Sequence, residues 1–172
     1  MKATLLFALL TLTFMGLFYA CTLSGASSGS TTFKVNLTDN PFDAAQVSID
    51  LKEVRVNNQQ DSEEWTVLPT KAGIYNLLDL QNGVTTTIAE GTVDGNILRE
   101  VKLVLGTRNS IKIGNEVYPL TIPGGSEKGL RIKTGRTLRQ GRDSVTIDFD
   151  AGLSVHKQED GTYMLEPVLK LK

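Results

Sequence analysis

Alternation of apolar and polar residues dominates the chain beyond residue 32. Phe33, Val35 and Leu37 share one parity, as do Val47, Ile49 and Leu51, each separated from the next by a polar residue. A period of two is that of a half-buried strand. The second run then changes phase: Val54 and Val56 fall on the other parity after Lys52-Glu53, which predicts a β-bulge or a break near Leu51 to Glu53. The pattern returns in Trp65-Thr66-Val67-Leu68, in Val101, Leu103 and Leu105, in Ile111 and Ile113, in Leu130 and Ile132, and in Val145, Ile147 and Phe149. No segment in this part of the chain sustains a helical period.

Turn signals fall between these runs, at Asn40-Pro41, Asn57-Asn58, Asp94-Gly95, Pro123-Gly124-Gly125, Gly135 and Gly141. Gly114-Asn115 separates Ile111-Lys112-Ile113 from Glu116-Val117-Tyr118 and reads as a two-residue hairpin turn, with glycine first and a residue tolerant of positive φ second. Asp160-Gly161 closes another hairpin, from Leu153-Ser154-Val155-His156 to Tyr163-Met164-Leu165. Tyr75-Asn76-Leu77-Leu78-Asp79-Leu80 breaks the alternation and is expected as a loop or one helical turn over an open end. Many short strands at this spacing predict an all-β, antiparallel sandwich, immunoglobulin-like or transthyretin-like, spanning residues 33–172 as a single domain.

The first 32 residues follow another rule. No charge occurs from Ala3 to Ala20, Lys2 is the only positive charge ahead of them, and the apolar heart runs from Leu5 to Phe18. That is the layout of a secretory signal peptide over residues 1–20, barely long enough for a membrane-spanning helix, which needs about 20 apolar residues. Then come Ala20, the chain's only cysteine, Cys21, and the uncharged stretch Thr22-Leu23-Ser24-Gly25-Ala26-Ser27-Ser28-Gly29-Ser30. This resembles the lipobox of bacterial lipoproteins, although Phe18 stands three before the cysteine where that motif usually has leucine. The resemblance implies cleavage before Cys21, its acylation, and residues 21–32 as a flexible tether to the membrane. The competing readings are an ordinary cleaved signal peptide and an uncleaved anchor helix. With Cys21 outside it, the folded part has no thiol for a disulfide or a thiolate metal site.

The formal net charge is −1, and removing residues 1–20 takes away one lysine and no acid, so nothing suggests nucleic-acid binding. No glycine-rich nucleotide loop or phosphate-binding lysine motif is present, and no cofactor is expected. His156 is the only histidine; parity puts it beside Ser154 on a solvated strand face rather than in a catalytic set. Asp148 and Asp150 alternate with Ile147 and Phe149 and are expected together on the wet face. With Asp39, Asn40 or Asp43 from a neighbouring loop they can make a Ca²⁺ site; otherwise Asp39 forms a local turn before Pro41 and the pair is solvated or capping. Lys128, Arg131, Lys133, Arg136, Arg139 and Arg142 occur with no acid among them. Of these, Arg131, Lys133 and Arg136 are the candidate ligand-binding residues, for an anionic glycan or lipid phosphate. The alternative is protection of a sheet edge by charge. Trp65, in phase with Val67, is expected to pack in the core rather than stack on a sugar.

Several separated motifs carry a wider likeness: Leu37-Thr38-Asp39-Asn40-Pro41, Tyr75-Asn76-Leu77-Leu78-Asp79-Leu80-Gln81-Asn82-Gly83-Val84, Tyr118-Pro119-Leu120 with Pro123-Gly124 and Gly129-Leu130, Asp148-Phe149-Asp150-Ala151, and Gly161-Thr162-Tyr163-Met164-Leu165-Glu166-Pro167-Val168. Together they resemble the domain of unknown function 4382 family of bacterial and archaeal envelope proteins. The resemblance implies a secreted or lipid-anchored β-sandwich and supplies no catalytic residues. The expected function is that of a lipid-anchored cell-envelope protein, on the outer membrane if the cell has one. It would be a non-catalytic binding or adhesion module for an envelope glycan or protein. A structural or assembly subunit of the surface, and a hydrolase using Asp148 or Asp150, are the alternatives.

Overall fold

The computed structural model describes residues 29–42, 44–59, 63–125 and 128–172. Cys21 and the apolar run before it lie outside these residues, as does Asp43. Two mixed sheets pack face to face and make an all-β sandwich. The smaller contains β1 (Ser30–Thr38), β5 (Thr86–Asp94), β10 (Gly141–Phe149) and β13 (Leu169–Leu171), in the order β13-β10-β1-β5. Phe33, Val35 and Leu37 of β1 and Val145, Ile147 and Phe149 of β10 point into the core as their alternation requires.

The larger sheet is organised by β2 (Gln46–Asn57). One edge of β2 pairs with β3 (Thr66–Leu68) and β4 (Gly73–Asn76), the other with β6 (Ile97–Leu105) and β7 (Ser110–Ile113). Val54 faces both Leu68 and Leu103, so the two sets lie on opposite sides. Beyond β7 follow β8 (Glu116–Thr121), β12 (Tyr163–Leu165) and β11 (Val155–Lys157), and β9 (Leu130–Thr137) pairs with β6 as the other edge. The bulge falls where the phase change placed it: Leu51 pairs with Leu105 and Glu53 with Val104, and Lys52 has no partner in that ladder. The skipped residue lets Leu51 and Val54 both face inward. Ile113 pairs with Glu116 across Gly114-Asn115. Only Gly114 takes positive φ, at 60°, so the turn belongs to the class with glycine in the first central position.

Three expectations need correction. The sheets are mixed rather than wholly antiparallel, because β1 runs parallel to β10 and β12 parallel to β8. Such pairs need long connections, and more than a hundred residues separate β1 from β10. Leu153 and Ser154 are not in a strand but in a helical turn, Ala151–Ser154, with Leu153 exposed and Ser154 buried; the β11–β12 hairpin begins only at Val155. Trp65 precedes β3 instead of lying within it. It is half-buried outside the core, Val67 is exposed, and Leu68 is the buried residue of that strand.

The Tyr75–Leu80 stretch ends β4 and then forms a 3-10 turn, Leu77–Leu80, started by the Asn76 side chain and buried through Leu77 and Leu80. Thr38 Oγ1 and the Asp39 amide both bond to the Leu80 carbonyl at 3.0 Å, closing that end of the sandwich. At Gly91 a Cβ would meet Pro69 Cδ at 2.7 Å, so only glycine lets the segment after β3 cross β5. The buried apolar residues form one core cluster that runs from Phe33 to Leu165, all of it after Gly29. No helix among the described residues is long and apolar enough to cross a membrane.

Candidate functional site

The strands give the sandwich two poles. Ser30 opens β1 opposite Asp94, Thr31 pairs with Gly141, and Ile97 pairs with Thr137, so the chain enters at the pole formed by the β5–β6 and β9–β10 turns. At the opposite pole stand Thr38 and Asp148, paired with each other, Leu130 at the start of β9, and Leu169 beside Phe149. The nine residues of β10 set the separation at about 26 Å.

Asp39, Asp148 and Asp150, drawn together on sequence grounds, do meet at this distal pole. They are not on a wet face: the three are 2%, 1% and 8% exposed, at the end of β10 where β13 pairs alongside and the helical turn begins. Asp39 Oδ1 accepts from the Ala151 amide at 2.9 Å and Oδ2 from Gln81 Nε2 at 3.3 Å. Asp39 therefore reaches across the sheet end instead of making a local turn. Asp150 Oδ1 caps the helical turn through the Leu153 amide at 3.0 Å, and Oδ2 accepts from Asn40 Nδ2 at 3.0 Å and faces Lys170 Nζ at 3.6 Å. Asp148 Oδ2 pairs with Lys172 Nζ at 3.0 Å. Burial raises the Asp39 pKa above the usual carboxylate range, only partly offset by its hydrogen bonds. Burial also opposes ionisation of Asp150, but Asn40, the Leu153 amide and Lys170 outweigh it and hold its pKa down. Among the described residues no group of three or more His, Cys, Asp or Glu side chains stands where it could hold a metal ion.

The candidate cations are divided by their surroundings. Arg131 donates two hydrogen bonds to the Glu63 carboxylate, at 3.2 and 2.7 Å, and lies 5.1 Å from the centre of the Trp65 ring, over which Lys102 sits at 3.9 Å. Lys102 is buried there, and burial, then Arg131 and Arg55 beside it, lower its pKa. Arg136 binds both oxygens of buried Asp143, at 2.6 and 2.7 Å. Lys133 is exposed on β9, a strand at the edge of the larger sheet. Arg131 and Arg136 are thus committed to carboxylates, and charge along this edge discourages pairing with another sheet.

The distal pole also carries a cleft of about 480 Å³. Its lining is largely apolar, from Ile122, Pro123, Leu130, Pro167 and Val168, with charge from Lys128 and Glu166 and the His156 imidazole beside them. His156 and Glu166 face each other with Nε2 and Oε2 3.9 Å apart. They stand on the face of β11–β12 opposite Val155 and Lys157, which line a second apolar cleft of about 410 Å³ with Phe42, Ile111 and Tyr163. The first cleft draws on four separate segments; Pro123, Gly129-Leu130 and Glu166-Pro167-Val168 fall in the motifs quoted above, but none of these by itself marks a cleft. Sequence reasoning reached His156 as a solvated residue, which it is, but not its pairing with Glu166.

Fold and surface define a β-sandwich that has exposed arginines at its chain-entry pole and two largely apolar clefts at the other. Residues 30–167 match the family described as Domain of unknown function (DUF4382), and the chain belongs to that family. No curated protein and no solved structure matches it.

Proposed function

We propose that this protein is a lipid-anchored domain of the cell envelope that holds a non-catalytic binding cleft away from the membrane, for a segment of another envelope protein. The observation that carries the reading is polarity. The chain reaches the sandwich from the Cys21 side at one pole, and the 480 Å³ cleft opens at the other. Its size suits a ligand or a few side chains. An apolar, proline-bearing lining with charge at Glu166 and Lys128 suits a peptide with an apolar anchor, whereas none of its described residues is a Trp, Tyr or Phe on which a sugar could stack.

The carboxylates that a hydrolase would use, Asp148 and Asp150, are bound to lysines and to a helix cap. Donation of β1 to a neighbour is disfavoured as well, since β1 is paired on both sides over nearly its whole length. Clickable fatty-acid labelling with membrane fractionation tests the anchor: wild type takes up label and Cys21→Ser does not. A photo-crosslinker at position 166 tests the cleft in cells. A discrete protein adduct that disappears with Leu130→Glu is expected, and an equal adduct from a crosslinker at Ser144 would argue against a distal binding site.

A further inference from the structure

At the chain-entry pole the loop between β9 and β10 folds around Asp143. Besides Arg136, this carboxylate accepts the Arg139 amide at 3.0 Å and the Ser144 amide at 2.8 Å. Burial works to raise its pKa, but the two amides and the guanidinium outweigh burial and keep it ionised below the usual range. The only acid lining the adjacent cavity is therefore already neutralised by Arg136. That cavity, about 290 Å³, is lined by Thr32, Lys34, Arg139, Arg142, Asp143 and Ser144. Lys34 shares Glu90 at 3.4 Å, both side chains about half exposed. Arg139 and Arg142 are exposed and make no ion pair among the described residues. Three cations and two hydroxyl-bearing residues thus line one hollow whose own carboxylate is occupied.

Its position adds a second argument. Thr32 pairs with Arg142, and a side chain at Gly29 would lie 3.7 Å from Gln140, so the chain runs into the domain alongside this cavity. Seven residues separate Cys21 from Gly29, eight steps along the chain and a reach of at most about 28 Å, or roughly 16 Å as a flexible coil. An acyl group on Cys21 would keep the cavity near the lipid headgroups.

We infer that this pole docks on anionic phospholipid, with a headgroup phosphate held among Arg139, Arg142 and Lys34. Guanidinium forks match phosphate oxygens in pairs, and each basic residue at an anionic surface strengthens binding about fivefold. The inference takes its setting from the anchor reading, but the contact belongs to the folded domain and is testable without the acyl group. Residues 29–172, lipid-free, are sedimented with phosphatidylcholine vesicles with or without phosphatidylglycerol, at low and high salt. Binding is expected only with phosphatidylglycerol and only at low salt. Arg139→Gln with Arg142→Gln should weaken it roughly twenty- to thirtyfold, with an unchanged melt. Lys128→Gln with Lys157→Gln, at the other pole, should leave it unchanged.

Equal binding by the Arg139/Arg142 variant, or equal loss in the Lys128/Lys157 variant, overturns the site. Saturable binding of inorganic phosphate without vesicle binding overturns it in favour of a soluble anion. Fatty-acid labelling separates the two proposals: label on Cys21 without vesicle preference removes the docking and keeps the anchor, and vesicle preference without label does the reverse.

Discussion

The two poles of the sandwich both gather charged residues, and they use them in opposite ways. At the distal pole Asp39, Asp148 and Asp150 are buried, and each is tied to an amide or a lysine that closes the sheet end. At the chain-entry pole one acid, Asp143, is buried and satisfied, while Arg139 and Arg142 stay in solvent. A buried carboxylate loses its hydration and must be bonded within the fold, so its removal damages structure. An exposed arginine keeps its hydration and contributes little to stability, which leaves it available to a partner.

The contrast breaks first at Asp150. Asp150→Ala removes a cap and the partner of Asn40 and Lys170, and a loss of about 3 kcal/mol is expected in urea unfolding; a melt like wild type would erase the distinction between the poles. Asp143→Asn should cost about 2 kcal/mol by removing a charge-assisted pair. Because it frees Arg136, it should hold or strengthen binding to phosphatidylglycerol vesicles, so weaker binding would contradict the assignment of that pole. Gly114→Ala, beside the second distal cleft, forces a side chain into φ of 60° and should cost about 1 kcal/mol, read from the urea midpoint.

A smaller effect is seen only against pH. The ordinary aspartate value is 3.8, and Asp39 lies above it. Between the unfolded and folded values the native state binds more protons, so this residue's contribution falls as pH rises through that window and stays unfavourable above it. Asp143 and Asp150 lie below 3.8; their contribution is present above that value and is lost as pH falls through their folded values. Asp39→Asn keeps an acceptor for the Ala151 amide, so it should gain on wild type as pH rises from 3 to 6 in urea titrations. A constant difference would place Asp39 outside the buried set. Least of all, Arg139→Gln with Arg142→Gln should shift stability by no more than about 0.5 kcal/mol.

Much of the sandwich was legible in local pattern. The phase change at Lys52-Glu53 announced the bulge because a strand with one buried face cannot change parity without an unpaired residue. Gly114-Asn115 announced its hairpin because few residues tolerate the turn. Parity misled at Asp148 and Asp150, which are buried at the end of β10 where alternation assumes a wet face. It misled again at Trp65, which is held by Lys102 and Arg131 outside the core. The run of basic residues was visible as composition, but which of its members remain unpaired depends on Glu63, from a distant segment, and on Asp143, brought back to Arg136 across the β9–β10 turn.

The sequence by itself determined that the chain after residue 32 makes a β-sandwich, where several of its turns and its bulge lie, and that its only cysteine falls at the end of an apolar run. Those properties depend on neighbours within a few residues, where sterics and alternation act directly. Tertiary structure decided the parallel pairing of β1 with β10, the burial of the distal carboxylates, the assembly of the cleft from four segments and the freedom of Arg139 and Arg142. Solvation and pairing of a charge depend on what packs against it, and for Asp39, Asp148 and Asp150 those neighbours come from segments remote in sequence or from adjoining strands.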